Sequence, residues 1–121
     1  MKDKRKATRK KLMAFAPVYD SHQKVLLGYV RNLNLLGIML VGAKSVEAGT
    51  EKVLTIEFPN DLPETVSTHI TIPARVVWCK QDETLRQLDT GFEFTHVTAE
   101  HTMIFKAIMA RYQFRQDMPD Y

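Results

Sequence analysis

A chain of 121 residues accommodates one folded domain and leaves little room for a second. At 45% hydrophobic and 26% charged it can bury a core without covalent help, and its single cysteine, Cys79, excludes an internal disulfide and a multi-cysteine zinc site and suits a reducing compartment. The net charge of +3 is unevenly placed: residues 1–11 hold Lys2, Lys4, Arg5, Lys6, Arg9, Lys10 and Lys11 against Asp3 alone, a charge of +6 that leaves −3 on the rest.

Such a basic tail calls for an anionic partner, whether phosphate, nucleic acid or a membrane surface. It is followed by Leu12-Met13 and then Ala14-Phe15-Ala16, which mimics a signal-peptidase site. Two apolar residues before that site fall far short of the roughly 7–15 that a secretory signal needs. No run approaches the about 18 apolar residues of a membrane span. The expected location is the cytoplasm, without membrane insertion.

Beyond the tail the pattern is strand after strand. Leu12 to Tyr19 is short, apolar and aromatic, and Asp20-Ser21-His22-Gln23 is a polar turn into a second strand, Val25 to Arg31. Asn32-Leu33-Asn34-Leu35-Leu36-Gly37 breaks the pattern before a third strand, Ile38 to Val41. Val53 to Phe58 alternates, with Leu54, Ile56 and Phe58 on one face, and Pro59-Asn60-Asp61-Leu62-Pro63 is a turn cluster. Val66 to Cys79 is the longest strand. Its Ile70, Ile72, Ala74, Val76 and Trp78 share one parity, so alternation reads Trp78 equally as core or as an exposed platform. Pro73 in its middle implies an edge position or a bulge. Gln81 to Arg86 is a hairpin loop, and Gln87 to Val97 is the last strand, with Gly91 at a bend.

Only the C-terminal segment is helical in pattern. Thr98 is the expected N-cap, Glu100 suits the first turn, and Arg111 and Arg115 suit the last turns. Ile104, Ile108 and Tyr112 form the packing stripe, padded by Met103, Ala107 and Ala110, and Pro119 stops anything further. Six short strands and one helix make a mainly β chain: an antiparallel barrel with the helix over one end or one face.

Two constellations carry chemistry. Arg5 and Arg9 lie four apart just before the first strand, and each guanidinium can grip a phosphate, or the O6 and N7 edge of guanine, with paired hydrogen bonds. The Asn32–Gly37 segment adds amide groups, and its glycine permits a backbone angle or close approach that other residues resist. Elsewhere His22, His69, His96 and His101 lack metal-ligand spacing and read as surface or capping residues. Cys79 has no histidine nearby in sequence, and no glycine-rich phosphate loop precedes a helix. The expectation is a protein that is not an enzyme and carries no cofactor.

These motifs resemble the PilZ family. Its R-x-x-x-R signature is matched by Arg5 and Arg9, and its D/N-x-S-x-x-G signature by Asn32 and Gly37, with Asn34 where the family has serine. Ala74-Arg75-Val76-Val77-Trp78, Thr90-Gly91-Phe92-Glu93-Phe94 and the C-terminal helix complete the likeness over nearly the whole chain. The resemblance implies a six-stranded antiparallel PilZ-type β-barrel spanning residues 12–115. The tail, residues 1–11, would carry the R-x-x-x-R motif, and a short second tail would cover 116–121. It also implies binding of cyclic di-GMP on the outer surface of the barrel. Arg5 and Arg9 would hold guanine edges and phosphates, Asn32 and Asn34 a guanine, and Gly37 would shape the loop. Trp78 sits where some members pack an aromatic residue on the ligand. Lys4 sits where a basic residue accompanies a stacked ligand dimer. The expected partners are cyclic di-GMP and a downstream protein. The alternative is a PilZ-fold protein adaptor that has lost nucleotide binding. A barrel for single-stranded nucleic acid is disfavoured, because the basic residues lie in the tail and not on the barrel face.

Overall fold

The alternating strands close on themselves. The structure is a computed structural model that describes residues 11–12, 16–42, 45–59, 69–82 and 87–114. Its elements are β1 (Lys11–Leu12), β2 (Pro17–Asp20), β3 (Val25–Leu33), β4 (Gly37–Gly42), β5 (Glu51–Glu57), β6 (His69–Asp82), β7 (Gln87–Phe94), α1 (Ala99–Arg111) and β8 (Tyr112–Gln113). Strands β2 to β7 form a closed barrel in the order β2-β3-β4-β7-β6-β5, with every neighbouring pair antiparallel. Closure leaves the six barrel strands without an unpaired edge. The inward residues Val18, Leu40, Leu54, Ile56, Ile72 and Val76 are fully buried.

The structure answers several of these expectations. The first barrel strand does not begin at Leu12. Lys11 and Leu12 instead pair in parallel with Tyr112 and Gln113, the segment that follows the helix. Pro73 is not at a bulge but at a local edge, where β6 runs past the end of β7. It pairs with Val53 on one side, and on the other its carbonyl accepts from Thr95 N at 3.0 Å, one residue past the last β6–β7 partner pair, Ala74 with Phe94. In an extended residue N and C=O face the same way, so the missing N–H falls where the β7 ladder has ended. The last strand stops at Phe94, short of Val97, because the chain turns there toward the helix cap. The helix stops at Arg111 and not near Arg115, because Tyr112 takes extended backbone to pair with β1. The Asn60–Pro63 part of the turn cluster, the start of the long strand at Val66, residues 83–86 of the hairpin loop, Arg115 and Pro119 lie outside the described residues.

The helix packs through Ile104, Phe105 and Ile108, all buried, while Met103, expected on that side, is 57% exposed. Phe105 stacks on Phe94 with ring centroids 5.2 Å apart. Thr98 is the N-cap. Its hydroxyl accepts from His101 N at 3.1 Å, and His101 Nδ1 accepts from Thr98 N at 3.0 Å. This is a capping box with histidine in the place of the usual Glu or Gln. His101 Nε2 then donates to Thr71 O, 3.0 Å away, so one neutral imidazole ties the start of the helix to β6.

A second polar tie holds the seam where β2 meets β5. Asp20, 4% exposed, accepts at Oδ1 from His22 N and Gln23 N and at Oδ2 from Lys52 Nζ at 2.9 Å. Burial pushes its carboxyl up, but the hydrogen bond from Lys52 and the turn amides of Gln23 and His22 outweigh burial and hold it below the ordinary aspartate range. A depressed carboxyl adds stability that is complete above its unfolded value, about 3.9, and is lost as pH falls through the lower folded value. Asp20→Asn should therefore cost about 1–3 kcal/mol at neutral pH. The gap from wild type should narrow as the medium is acidified below about pH 4. Urea unfolding of both proteins from pH 7 to pH 3 measures it, and a gap that stays constant would contradict the assignment.

Candidate functional site

Two irregularities decide which side chains face outward on one side of the barrel. In β3, Val30 pairs with Leu40 and Asn32 with Met39, so Arg31 is an extra residue. In β6, Val76 pairs with Phe92 and Trp78 with Gly91, so Val77 is an extra residue. Each is a β-bulge, and each reverses the in–out alternation beyond it. Val30 and Leu33 point inward with Asn32 outward between them, although Val30 and Asn32 share a parity. Past Val77, Trp78 points outward and Cys79 inward, its Sγ 3.4 Å from Oγ1 of the buried Thr90. The result is one row across four strands: Asn32, Met39, Gly91 and Trp78. A second row, Gly37, Glu93 and Arg75, runs beside it.

Between β3 and β4 the chain turns through Leu35 and Leu36. Asn34 Oδ1 accepts from Leu36 N at 2.8 Å and Gly37 N at 3.0 Å, and Asn34 N donates to Gly37 O at 3.0 Å. The side chain thus imitates a backbone carbonyl and closes the turn. Asn32 Oδ1 accepts from Leu33 N at 2.9 Å. Gly37 is required by proximity: a Cβ there would stand 2.3 Å from Phe92 O on β7. Leu36, 78% exposed, is left at the rim.

Trp78 is 40% exposed and lies over Gly91, where a Cβ would stand 2.5 Å from the indole Cε2. Gly91 is a seat for the ring. Lys80 Nζ is 6.0 Å from the ring centroid, at the outer limit of a cation–π contact. Asn32, Asn34, Leu36, Gly37, Trp78 and Glu93 are among the residues that line one open concavity of about 290 Å³. Glu93 is hydrogen-bonded through Oε2 to Arg75 Nη2, and this bond with the carboxylate's charge raises the guanidinium further above its ordinary value. Arg31 forms an ion pair with Asp89 at 3.3 Å on the same outer side.

Asn32, Asn34, Gly37 and Trp78, singled out from sequence, thus converge on one face. Asn32 is corrected in one respect: it belongs to strand β3 and not to the loop, because the bulge at Arg31 carries the ladder on to Leu33. Lys4, Arg5 and Arg9 lie outside the described residues. Glu93, Met39 and Leu36 were missed as lining residues, although Leu36 lies within the Asn32–Gly37 segment and Glu93 within Thr90–Phe94, both singled out from sequence. Among the described residues no group of three or more His, Cys, Asp or Glu is placed to hold a metal ion. The surface offers amide donors, one carboxylate, a flat aromatic ring and apolar rim residues, which suit a planar heterocycle with polar edges.

The family pattern described as PilZ domain matches residues 3–112. No curated protein sequence matches the chain. Among solved structures the chain is similar to the Bacillus subtilis inhibitor of motility, MotI/DgrA, with a TM-score of 0.62 and 18% identity over 84% of this chain and 48% of that one. The chain therefore spans about half the length of that protein, and the likeness is one of fold.

The protein has a single tryptophan, so its fluorescence reports on this face alone. Gly91→Ala should lift the indole off β7, shift its emission to the red, and cost about 1–3 kcal/mol of stability through overpacking. Removing the ring in Trp78→Ala should recover most of that stability loss in the double variant. Unchanged emission in Gly91→Ala would show that the ring does not rest on residue 91.

Proposed function

Because the chain belongs to the PilZ family, we propose that it is a cyclic di-GMP receptor without catalytic activity, acting in the cytoplasm through a downstream protein. The observation that carries the proposal is the outer row of Asn32, Met39, Gly91 and Trp78, with the Asn34–Gly37 turn beside it. Asn32 and Gly37, which match the second signature of the family, line one concavity with Trp78, and this supports the reading. Guanine bases suit this surface by stacking on Trp78 and by accepting from the asparagine amides.

The R-x-x-x-R residues of the tail, Arg5 and Arg9, would supply the bidentate contacts to phosphates and guanine edges, with Lys4 beside them. Binding would order a segment whose like charges oppose compaction, a disorder-to-order switch that changes the surface offered to a partner. No helix of the described residues is long and apolar enough to cross a membrane. One observation favours the adaptor alternative. Asn34 stands where the family has serine, and its carbonyl oxygen is committed to two turn amides, leaving only its NH2 for a ligand.

Calorimetry with cyclic di-GMP, GTP and a single-stranded oligonucleotide separates the readings. Selective heat with cyclic di-GMP is expected, and none at about 100 μM protein would favour the adaptor. Arg9→Ala should weaken binding at least tenfold with the fold unchanged, since a charge-assisted hydrogen bond contributes about 1.5–3 kcal/mol and tenfold takes about 1.4. Wild-type affinity in that variant would remove the tail from the site. Asn34→Ser, whose hydroxyl can close the same turn, should keep or tighten binding, by about 0.5–1.5 kcal/mol. Asn34→Leu should weaken it. Equal affinities for all three residues at position 34 would show that it does not touch the nucleotide.

A further inference from the structure

The polar groups lining the concavity are unequal in kind. Asn34 Oδ1 accepts two backbone amides, which uses both of its lone pairs, and Asn32 Oδ1 accepts one. Both asparagines therefore present mainly their NH2 donors, and the indole N–H of Trp78 is a donor only. Glu93 is the one carboxylate among the described residues that line the surface. Its side chain is 46% exposed and outward on β7, in the row beside Trp78 and Gly91. Arg75 engages it through Oε2, and a carboxylate has about four lone-pair sites, so acceptor capacity remains toward the concavity.

We propose that Glu93 reads the Watson–Crick edge of a guanine base on this platform and so sets base specificity, with Arg75 as the positioning residue that holds the carboxylate in place. The inference rests on the proposed cyclic di-GMP site and names how that site tells one purine from another. Guanine presents two adjacent donors, N1–H and the N2 amino group, which match two carboxylate oxygens. Adenine presents the N1 lone pair at the same edge, which a carboxylate repels. The donor-rich asparagines suit O6 and N7, so the two kinds of group divide the base between them. The Arg75 guanidinium also offsets the negative charge of Glu93, which would otherwise oppose a dinucleotide carrying two phosphates.

Calorimetry of the full chain with cyclic di-GMP, cyclic di-IMP and cyclic di-AMP tests this. Cyclic di-IMP is cyclic di-GMP without the two N2 amino groups. Wild type should prefer cyclic di-GMP over cyclic di-IMP by about tenfold or more, the scale of a hydrogen bond to a charged group, and should bind cyclic di-AMP more weakly still. In Glu93→Gln, whose amide N–H2 faces one of the base donors, the preference for cyclic di-GMP over cyclic di-IMP should fall toward parity. In Arg75→Met it should fall part of the way, while the melting temperature stays near that of wild type. An equal ratio in wild type and Glu93→Gln would overturn the role of Glu93 and leave the receptor reading standing. Equal wild-type affinity for cyclic di-GMP and cyclic di-IMP would do the same without any variant. Failure of wild type to bind any of the three would overturn both.

Discussion

A barrel of six strands has no interior to offer. An eight-stranded barrel is just wide enough for its own side chains or one small ligand; with six strands here, Val18, Leu40, Leu54, Ile56, Ile72 and Val76 fill the inside. A ligand site on this fold would therefore have to lie on the outer surface. Regular alternation would place Arg31 and Val77, not Asn32 and Trp78, opposite Met39 and Gly91. One inserted residue in β3 and one in β6 exchange these partners. The Asn32–Met39–Gly91–Trp78 row exists because both bulges occur, one at each end of it.

The remaining demands of the site follow from that row. A large ring lying flat on a four-strand surface needs a neighbour without a side chain, which Gly91 provides. The turn that brings Asn34 alongside must pass close to β7, which Gly37 permits. The side chain of Asn34 then secures the turn through two backbone amides. None of these residues contributes much to the core, so their conformations depend on the barrel beneath them. The barrel is held by closure, by the Asp20–Lys52 tie at the β2–β5 seam, and by a helix latched to β6 through His101.

The barrel was legible in sequence because most of its strands keep strict alternation, and a period of two is the simplest pattern to read. The helix start was legible because Thr98 caps it by side-chain chemistry that is local. What failed were the features set by distant partners. The parity of Trp78 was ambiguous because a bulge leaves no mark in composition: Val77 is as apolar as its neighbours. Pro73 suggested an irregularity in β6, and one exists, but at Val77. The pairing of Lys11–Leu12 with Tyr112–Gln113 joins two short segments about 100 residues apart, which no local pattern reveals. Glu93 passed unnoticed as a lining residue because its meaning comes from β4 and β6 on either side of it.

Charge divides the proposed labour between the domain and its tail. A cyclic dinucleotide brings two phosphates, yet the described residues lining the concavity include a carboxylate and no lysine or arginine. The nearby cations Arg75 and Arg31 are paired with Glu93 and Asp89, and Lys80 stands 6.0 Å from the indole centroid. Such a surface can select a base by shape and hydrogen bonding, but it has little with which to hold an anion. Residues 1–11 carry +6 while the rest of the chain carries −3. Under the proposed reading, affinity for a dianion would come chiefly from the tail, and selectivity chiefly from the barrel. In the proposed receptor, tight binding would therefore recruit the N-terminal segment, and capture of the messenger and ordering of the tail would be a single event.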